Sequence, residues 1–392
     1  IDKYFFDTFI DIDKNLIVID EIDYHKDKNL KSNIKVKGNY NQLSKNNKSG
    51  EFKFEDIIIS DDKNKILISN LNLSSNFKVN DIDVIELDYI NNNKNKNYLK
   101  LFKINNNYKL ISDTFDGKSF ISKILTGDSN KSFLKIFKNL NSEIFLSLDK
   151  LIINKKSYLN NIEGYLVINN NEIKSGKIDA ILNKKNKFSY NLKNSSNNEK
   201  VTTIIVDEPA PFIKNYKFIR GFEKGNLSYN SIEKNGIISS NMKIFNFKVK
   251  EVPLLAKLLS LASLQGIADL LTGEGIRFDE FEMQYETNKN ITTFNEIYAI
   301  GPAISILIEG YVEKDKLTSL RGTLVPATTI NKSIAKIPLL GNILVGKDVG
   351  EGVFGVSFKI KGPPKNLKTT VNPVKTLTPR FITRTLEKLK KN

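Results

Sequence analysis

The chain has 392 residues, with 60 Lys and Arg against 44 Asp and Glu, one histidine, no cysteine and a formal charge of +16. The missing cysteines exclude a disulfide framework, a thiolate metal site and a thiol nucleophile. His25, in the polar stretch Asp23-Tyr-His-Lys-Asp27, has no second histidine with which to build a metal cluster and reads as a solvated residue. The charge suggests an anionic partner such as nucleic acid or a lipid headgroup surface. Lys, Asn and Ile are abundant almost everywhere, however, as expected where a low-GC genome biases neutral surface positions.

The length fits two or three compact domains or one elongated repetitive one. From Leu16 to about Phe247, short apolar alternations broken by Asn, Lys, Asp, Ser and Gly predict many short antiparallel strands joined by turns. Ile34, Val36 and Tyr40 alternate with Lys35, Lys37 and Asn39, and Phe188, Tyr190 and Leu192 with Ser189 and Asn191, so each stretch has one apolar and one wet face. Further strands are predicted at Phe52–Ile59, Lys65–Leu73, Ile82–Ile90, Leu99–Ile104, Glu143–Ile153, Glu163–Ile168, Gly176–Leu182 and Val201–Val206. Asparagine clusters at 91–93, 105–107, 169–171 and 194–198 mark turns between them. A helical interlude is expected near Ser119–Leu140, where Phe120, Ile124, Phe133, Ile136, Phe137 and Leu140 fall at helical spacings.

Beyond Pro209 and Pro211, strands are predicted at Gly225–Ser231 and Ile237–Val249. The longest apolar run of the chain follows, Val252–Leu271. Pro253 suits the first turn of a helix, and Leu254, Leu255, Leu258, Leu259, Leu261, Leu264, Ile267, Leu270 and Leu271 cover most of its circumference. Such a helix is buried, lipid-facing or both, and Lys257 and Asp269 speak against its spanning a bilayer. Strands resume at Ile276–Tyr285, Asn295–Ala299, Ala303–Val312, Leu320–Val325 and Gly352–Lys361; Ile304, Ile306 and Ile308 share one face of theirs. A helix over Thr328–Leu344 is expected to break at Pro338. The tail is read as starting at Asn372-Pro373, with a last helix capped by Thr378 whose Arg380, Arg384 and Lys388 form a cationic face for an anionic membrane or for water.

Glycine loops with phosphate-cradling spacing, paired histidines and nucleophile elbows are missing from the sequence, and Gly350-Glu-Gly352 sits before a strand rather than between strand and helix. Acidic groups such as Asp279, Glu280 and Glu282 suit a wet strand face, so the chain reads as noncatalytic, without cofactor or metal. Lysines spread along the whole chain, rather than gathered with aromatics on one element, argue against a nucleic-acid partner.

An ordered series of short motifs carries a family resemblance: Phe245-Asn-Phe247 through Val252-Pro-Leu-Leu-Ala256, Leu258-Leu-Ser-Leu-Ala-Ser-Leu264, Gly273-Glu-Gly-Ile-Arg-Phe278, Ala299-Ile-Gly-Pro-Ala303, Gly322-Thr-Leu-Val-Pro326, Ile337-Pro-Leu-Leu-Gly341, Gly350-Glu-Gly352 and Val371-Asn-Pro373. Over Tyr216–Phe381 the chain resembles the C-terminal region of AsmA-like envelope proteins of the YhdP and TamB type, and its first half is similar in style only. The resemblance implies an elongated antiparallel meander curled into a U-shaped apolar groove, in a protein anchored in the inner membrane and reaching across the periplasm to the outer membrane. It implies bridge-like phospholipid transfer, with acyl chains and both membrane surfaces as partners. The chain starts at Ile1 without an anchor and is expected to be part of a longer protein.

The expectation is therefore a mainly β chain with a repetitive groove segment at 1–215 and a C-terminal region at 216–392 carrying helices near 253–271, 328–344 and 379–391. Its groove would be lined by Ile34, Val36, Phe188, Tyr190, Leu192, Ile304, Ile306, Ile308, Phe354, Val356 and Phe358. The alternative is an envelope scaffold, supporting outer-membrane protein assembly without conducting lipid.

Overall fold

The computed structural model describes residues 2–20, 22–42, 50–118, 133–195, 199–213, 221–250, 275–326, 355–364 and 366–374. The chain is mainly β and falls into two compact units, Ile1–Asn194 and Ser195–Asn392.

The first unit contains β1 (Lys3–Asp11), β2 (Ile17–Ile19), β3 (Tyr24–Lys26), β4 (Ser32–Gln42), β5 (Gly50–Asp61), β6 (Lys65–Ser74), β7 (Val79–Asp81), β8 (Val84–Ile90), β9 (Lys96–Ile104) and β10 (Asn107–Ser112). These are followed by β11 (Phe115–Asp116), β12 (Ser142–Asn154), β13 (Ser157–Asn169), β14 (Glu172–Leu182) and β15 (Asn186–Asn194). Neighbours run in the order β1, β4, β5, β6, β8, β9, β10, β12, β13, β14, β15, with β7 also on β6, β11 also on β12, and β2 and β3 paired only with each other.

Two sequence expectations need correction here. The meander is not wholly antiparallel: β10 and β12 are parallel, because the chain between them crosses over instead of turning back as a hairpin. That crossover holds the expected helical interlude. Its described part is a single 3-10 turn, Phe133–Ile136, followed by a bridge from Phe137 to Val79, while Phe120 and Ile124 lie outside the described residues. Strands also begin earlier than expected. The acidic stretch before Leu16 contains β1, whose Asp7 and Asp11 alternate with residues that face the sheet's apolar side, so its charge does not prevent pairing with β4.

The second unit is a plain antiparallel succession: β16 (Lys200–Asp207), β17 (Glu223–Lys234), β18 (Ile237–Val249), β19 (Ile276–Asn288), β20 (Ile291–Ile300), β21 (Ile304–Glu313), β22 (Leu317–Pro326), β23 (Gly355–Gly362) and β24 (Lys368–Val374). A short helix, α1 (Ala210–Ile213), follows β16. Asn372-Pro373, read from sequence as the start of the tail, belongs to β24 instead. The predicted helices over Val252–Leu271, Thr328–Leu344 and Thr378 onward lie outside the described residues, and so do Phe354, Arg380, Arg384 and Lys388.

Asparagine makes many of the turns. Asn170 and Asn171 have φ of 51° and 60°, and Asn235 and Gly236 have 52° and 76°, the left-handed pairs that a two-residue hairpin requires to match the strand twist. The asparagine bias of the sequence is therefore used structurally. Gly322 is required for a different reason: a Cβ there would lie 2.5 Å from Phe358 Cζ and 2.5 Å from the Leu307 carbonyl oxygen, so the glycine makes room for the ring on the neighbouring strand.

Candidate apolar ligand face

In the first unit, register turns the strand alternation into one continuous row. Val36 on β4 lies opposite Ile57, Ile57 opposite Ile68, Ile68 opposite Ile85 and Ile85 opposite Leu101. From there the row passes to Leu110, through the parallel pair to Leu146, then to Gly164, Ile178 and Tyr190. Apart from Leu146 at 8% exposure, these residues are only half-buried. A second row, Ile34, Ile59, Ile66, Leu87 and Leu99, runs beside it on the same face. A bulge decides which isoleucines join. Between Lys37 and Gly38 the register slips by one, so that Phe54 and Ile57, an odd number of residues apart, both reach the apolar face and Ile58 points away.

Two segments cover the flanks of this row. The β2–β3 hairpin places Ile17, Ile19, Ile22 and Tyr24 against Ile59, Ile66, Leu87, Leu99 and Leu151, with the Tyr24 and Tyr89 rings edge to face at 5.6 Å. On the other flank Leu134, Phe137 and Leu140 pack with Leu71, Ile82, Tyr108, Ile144 and Ile168. Burial, and next the charge of Asp61, pushes the Tyr24 phenol up to about 12; burial, and next Asp81, does the same to Tyr108.

The second unit repeats the pattern. Val206, Leu227, Ile244, Phe281, Ala299, Ile306, Leu324 and Val356 are successive cross-strand partners from β16 to β23. Two residues along each strand, Ile204, Tyr229, Met242, Met283, Ile297 and Ile308 form a parallel row, half-buried throughout, that continues to Gly322 and Phe358. Part of the face is closed: Ile304 and Leu324 are 0% and Phe358 2% exposed, within one cluster that also takes in Ile244, Phe247, Phe278, Ala299 and Ile360, and Val356 is 1% exposed.

The opposite face of this unit is polar. Lys243, Glu282 and Tyr298 lie side by side across β18–β20, with Lys243 Nζ 3.3 Å from Glu282 Oε1. Burial works to raise the Glu282 pKa. Hydrogen bonds from Gln284 and Asn241 and the Lys243 charge outweigh it, and the carboxyl is held below its ordinary value. The corresponding carboxylate of the first unit is Asp116, buried and bonded by Asn91, Asn95 and Lys118 at 3.0, 2.8 and 2.9 Å, which lowers its pKa against the same opposing burial. Both are buried carboxylates satisfied by hydrogen bonds and a lysine. Among the described residues no group of histidine and carboxylate side chains converges as a metal site. A shallow depression of about 620 Å³ on β8–β10, lined by Val84, Phe102 and Ile111 with Asp83, Lys100 and Lys103 around them, likewise brings no reactive pair together.

Of the residues singled out in the sequence, Val36 and Tyr190 lie in the first unit's half-buried row, Ile34 in the row beside it, and Phe188 and Leu192 on neighbouring positions of β15 opposite Ala180 and Gly176. Ile306 and Ile308 occupy the two rows of the second unit; Ile304, Val356 and Phe358 sit in its closed part. The structure adds Ile57, Ile68, Ile85, Leu101, Met242, Met283 and Ile297, whose strands were legible but whose alignment depends on bulges and register. Comparison of the chain with protein-family models, curated proteins and solved structures finds no match.

Proposed function

We propose that the chain is a noncatalytic phospholipid carrier whose acyl chains lie along the apolar rows of a U-shaped β-groove, as part of a protein that moves lipid between inner and outer membranes. One observation carries the reading. An apolar row crosses strand after strand in each unit and stays only half-buried, although apolar side chains on a sheet face are normally covered fully or spaced singly. The inner-membrane anchorage, the periplasmic location and the membrane contacts of the Val252–Leu271 and post-Pro379 segments rest on the family resemblance. Native mass spectrometry and lipid extraction of the purified chain test the reading: copurifying phospholipid, crosslinked through a diazirine acyl chain to β5–β9 and β18–β20, is the expected result. A reproducibly lipid-free protein would overturn it.

The second reading, an envelope scaffold that conducts no lipid, is favoured by the closed part of the second unit, where Ile304, Leu324, Phe358 and Ile360 belong to an ordinary protein core.

A further inference from the structure

Among the described residues β1 pairs with β4 alone, in an unshifted register that runs from Lys3 opposite Asn41 to Asp11 opposite Asn33. The main-chain bonds at its two ends fix which groups are left over. Gln42 N–H donates to the Asp2 carbonyl and Ile12 N–H to the Ser32 carbonyl, so the even-numbered residues aim their backbone at β4. By strand alternation Lys3, Phe5, Asp7, Phe9 and Asp11 aim theirs outward. The side chains are as open as this edge. Every residue of β1 except Phe6 is exposed, although Tyr4, Phe5, Phe9 and Ile10 are large and apolar. Tyr4 and Ile10 alternate onto the sheet's apolar face with Phe6. Phe5 and Phe9 stand on the otherwise wet face at 72% and 63% exposure, with the ammonium groups of Lys3 and Lys35 over their rings. Outward backbone groups together with apolar side chains on both faces are what a sheet edge offers to an added strand.

We propose that β1 is an interface between two copies of this chain, joined as antiparallel edge strands about a two-fold axis at Asp7. In that register β1 is complementary to its own reverse. Lys3 meets Asp11 of the second copy, Phe5 meets Phe9, Tyr4 meets Ile10 and Phe6 meets Thr8, so charge faces opposite charge and ring faces ring. Sliding by two residues in either direction sets Asp7 against Phe5 or Phe9 and takes Lys3 away from Asp11. One contact opposes the pairing: the two Asp7 carboxylates face each other at the axis. Lys37 lies opposite Asp7 on β4, but its ammonium is already paired with Glu55, so the repulsion is only partly offset and the association is weak.

The full chain has no cysteine, so introduced cysteines report the register cleanly. Tyr4→Cys and Ile10→Cys chains, mixed under mild oxidation, should form a disulfide-linked heterodimer, because the Cα atoms of such a non-hydrogen-bonded pair are about 4.5 Å apart. Either variant alone, and Phe6→Cys alone, should crosslink far less. Sedimentation equilibrium then reads the affinity. Asp7→Asn, which removes the repulsion, should tighten the dimer several-fold, whereas Asp7→Pro, which removes an outward N–H and leaves the β4 side intact, should abolish it. Lys3→Asp should weaken association several-fold, and adding Asp11→Lys should restore it. Wild-type and Asp7→Asn chains that both stay monomeric overturn the proposal, as does a dimer that crosslinks through Phe6→Cys or equally through every cysteine. A monomer with slow amide exchange at Phe5, Asp7 and Phe9 also overturns it, by assigning the edge to another strand of the same chain. Should Asp7→Pro unfold the first unit, the charge swap of Lys3 and Asp11 decides. None of these measurements involves lipid, so the carrier reading stands or falls separately.

Discussion

The two units build the same amphipathic sheet and finish it differently. In Ile1–Asn194 the β2–β3 hairpin and the crossover turn pack on the apolar face, and the row from Val36 to Tyr190 is left half-buried except at Leu146. In Ser195–Asn392 one row stays half-buried from Ile204 on β16 to Ile308 on β21, while the row beside it is buried at Val206, Ile244, Ala299 and Leu324 and, from Ile244 on, joins a core cluster with Phe247, Phe278 and Ile304. Alternation of apolar and polar residues thus specifies a face and leaves its fate undecided. Whether that face becomes core or open surface depends on what the rest of the chain lays over it, and substitutions that insert charge separate the two outcomes.

The largest effect is expected at the closed part. Leu324→Glu buries an unpaired carboxylate and should destabilise the second unit by several kcal/mol, on the order of 4. Ile297→Glu, in the half-buried row of the same unit, should cost about 1 because the carboxylate reaches water. Chemical denaturation followed by hydrogen exchange on each unit measures both, and equal losses would erase the distinction between core and open row.

Next in size is Lys26→Met. It strands the carbonyls that the ammonium now satisfies, and should cost about 3 kcal/mol in the first unit with no change in the second. Stability loss that spreads evenly over both would show that the units do not unfold separately.

Ile306→Glu lies between the extremes, since the residue packs on the second unit's core cluster yet is only partly buried. A loss of about 2 kcal/mol is expected, with the variant still folded and lipid crosslinks interrupted at β21. Native crosslinking on both sides of residue 306 would remove β21 from the lipid path.

The smallest effect is alkaline and confined to the first unit, which holds Tyr24 and Tyr108. Their folded pKa values, pushed up to about 12 mainly by burial, exceed the ordinary 10, so the folded state holds protons that the unfolded chain releases. Stability from these phenols is complete below about pH 10 and is lost as pH rises toward 12. Tyrosinate absorbance should therefore rise together with exchange in the first unit while the second still holds. The opposite order would place the alkaline weak point elsewhere.

Much of the strand inventory could be read from the residues, because period-two alternation and asparagine turns are local: the expected strands over Phe52–Ile59, Lys65–Leu73 and Ala303–Val312 correspond to β5, β6 and β21. The missing catalytic motifs, too, are a property of the residues alone. Local patterns do not carry the register between distant strands, and a single extra residue, as at the bulge beside Gly38, moves a whole run of side chains to the other face. The alignment of Val36 with Ile57 and of Ile297 with Ile308 depends on bulges in neighbouring strands, while the parallel pairing of β10 with β12 and the β2–β3 hairpin held at Ile22 by Tyr89 bring together residues far apart in the chain. Such contacts form only when the whole sheet closes on one hydrogen-bonded register, so tertiary structure alone decided them.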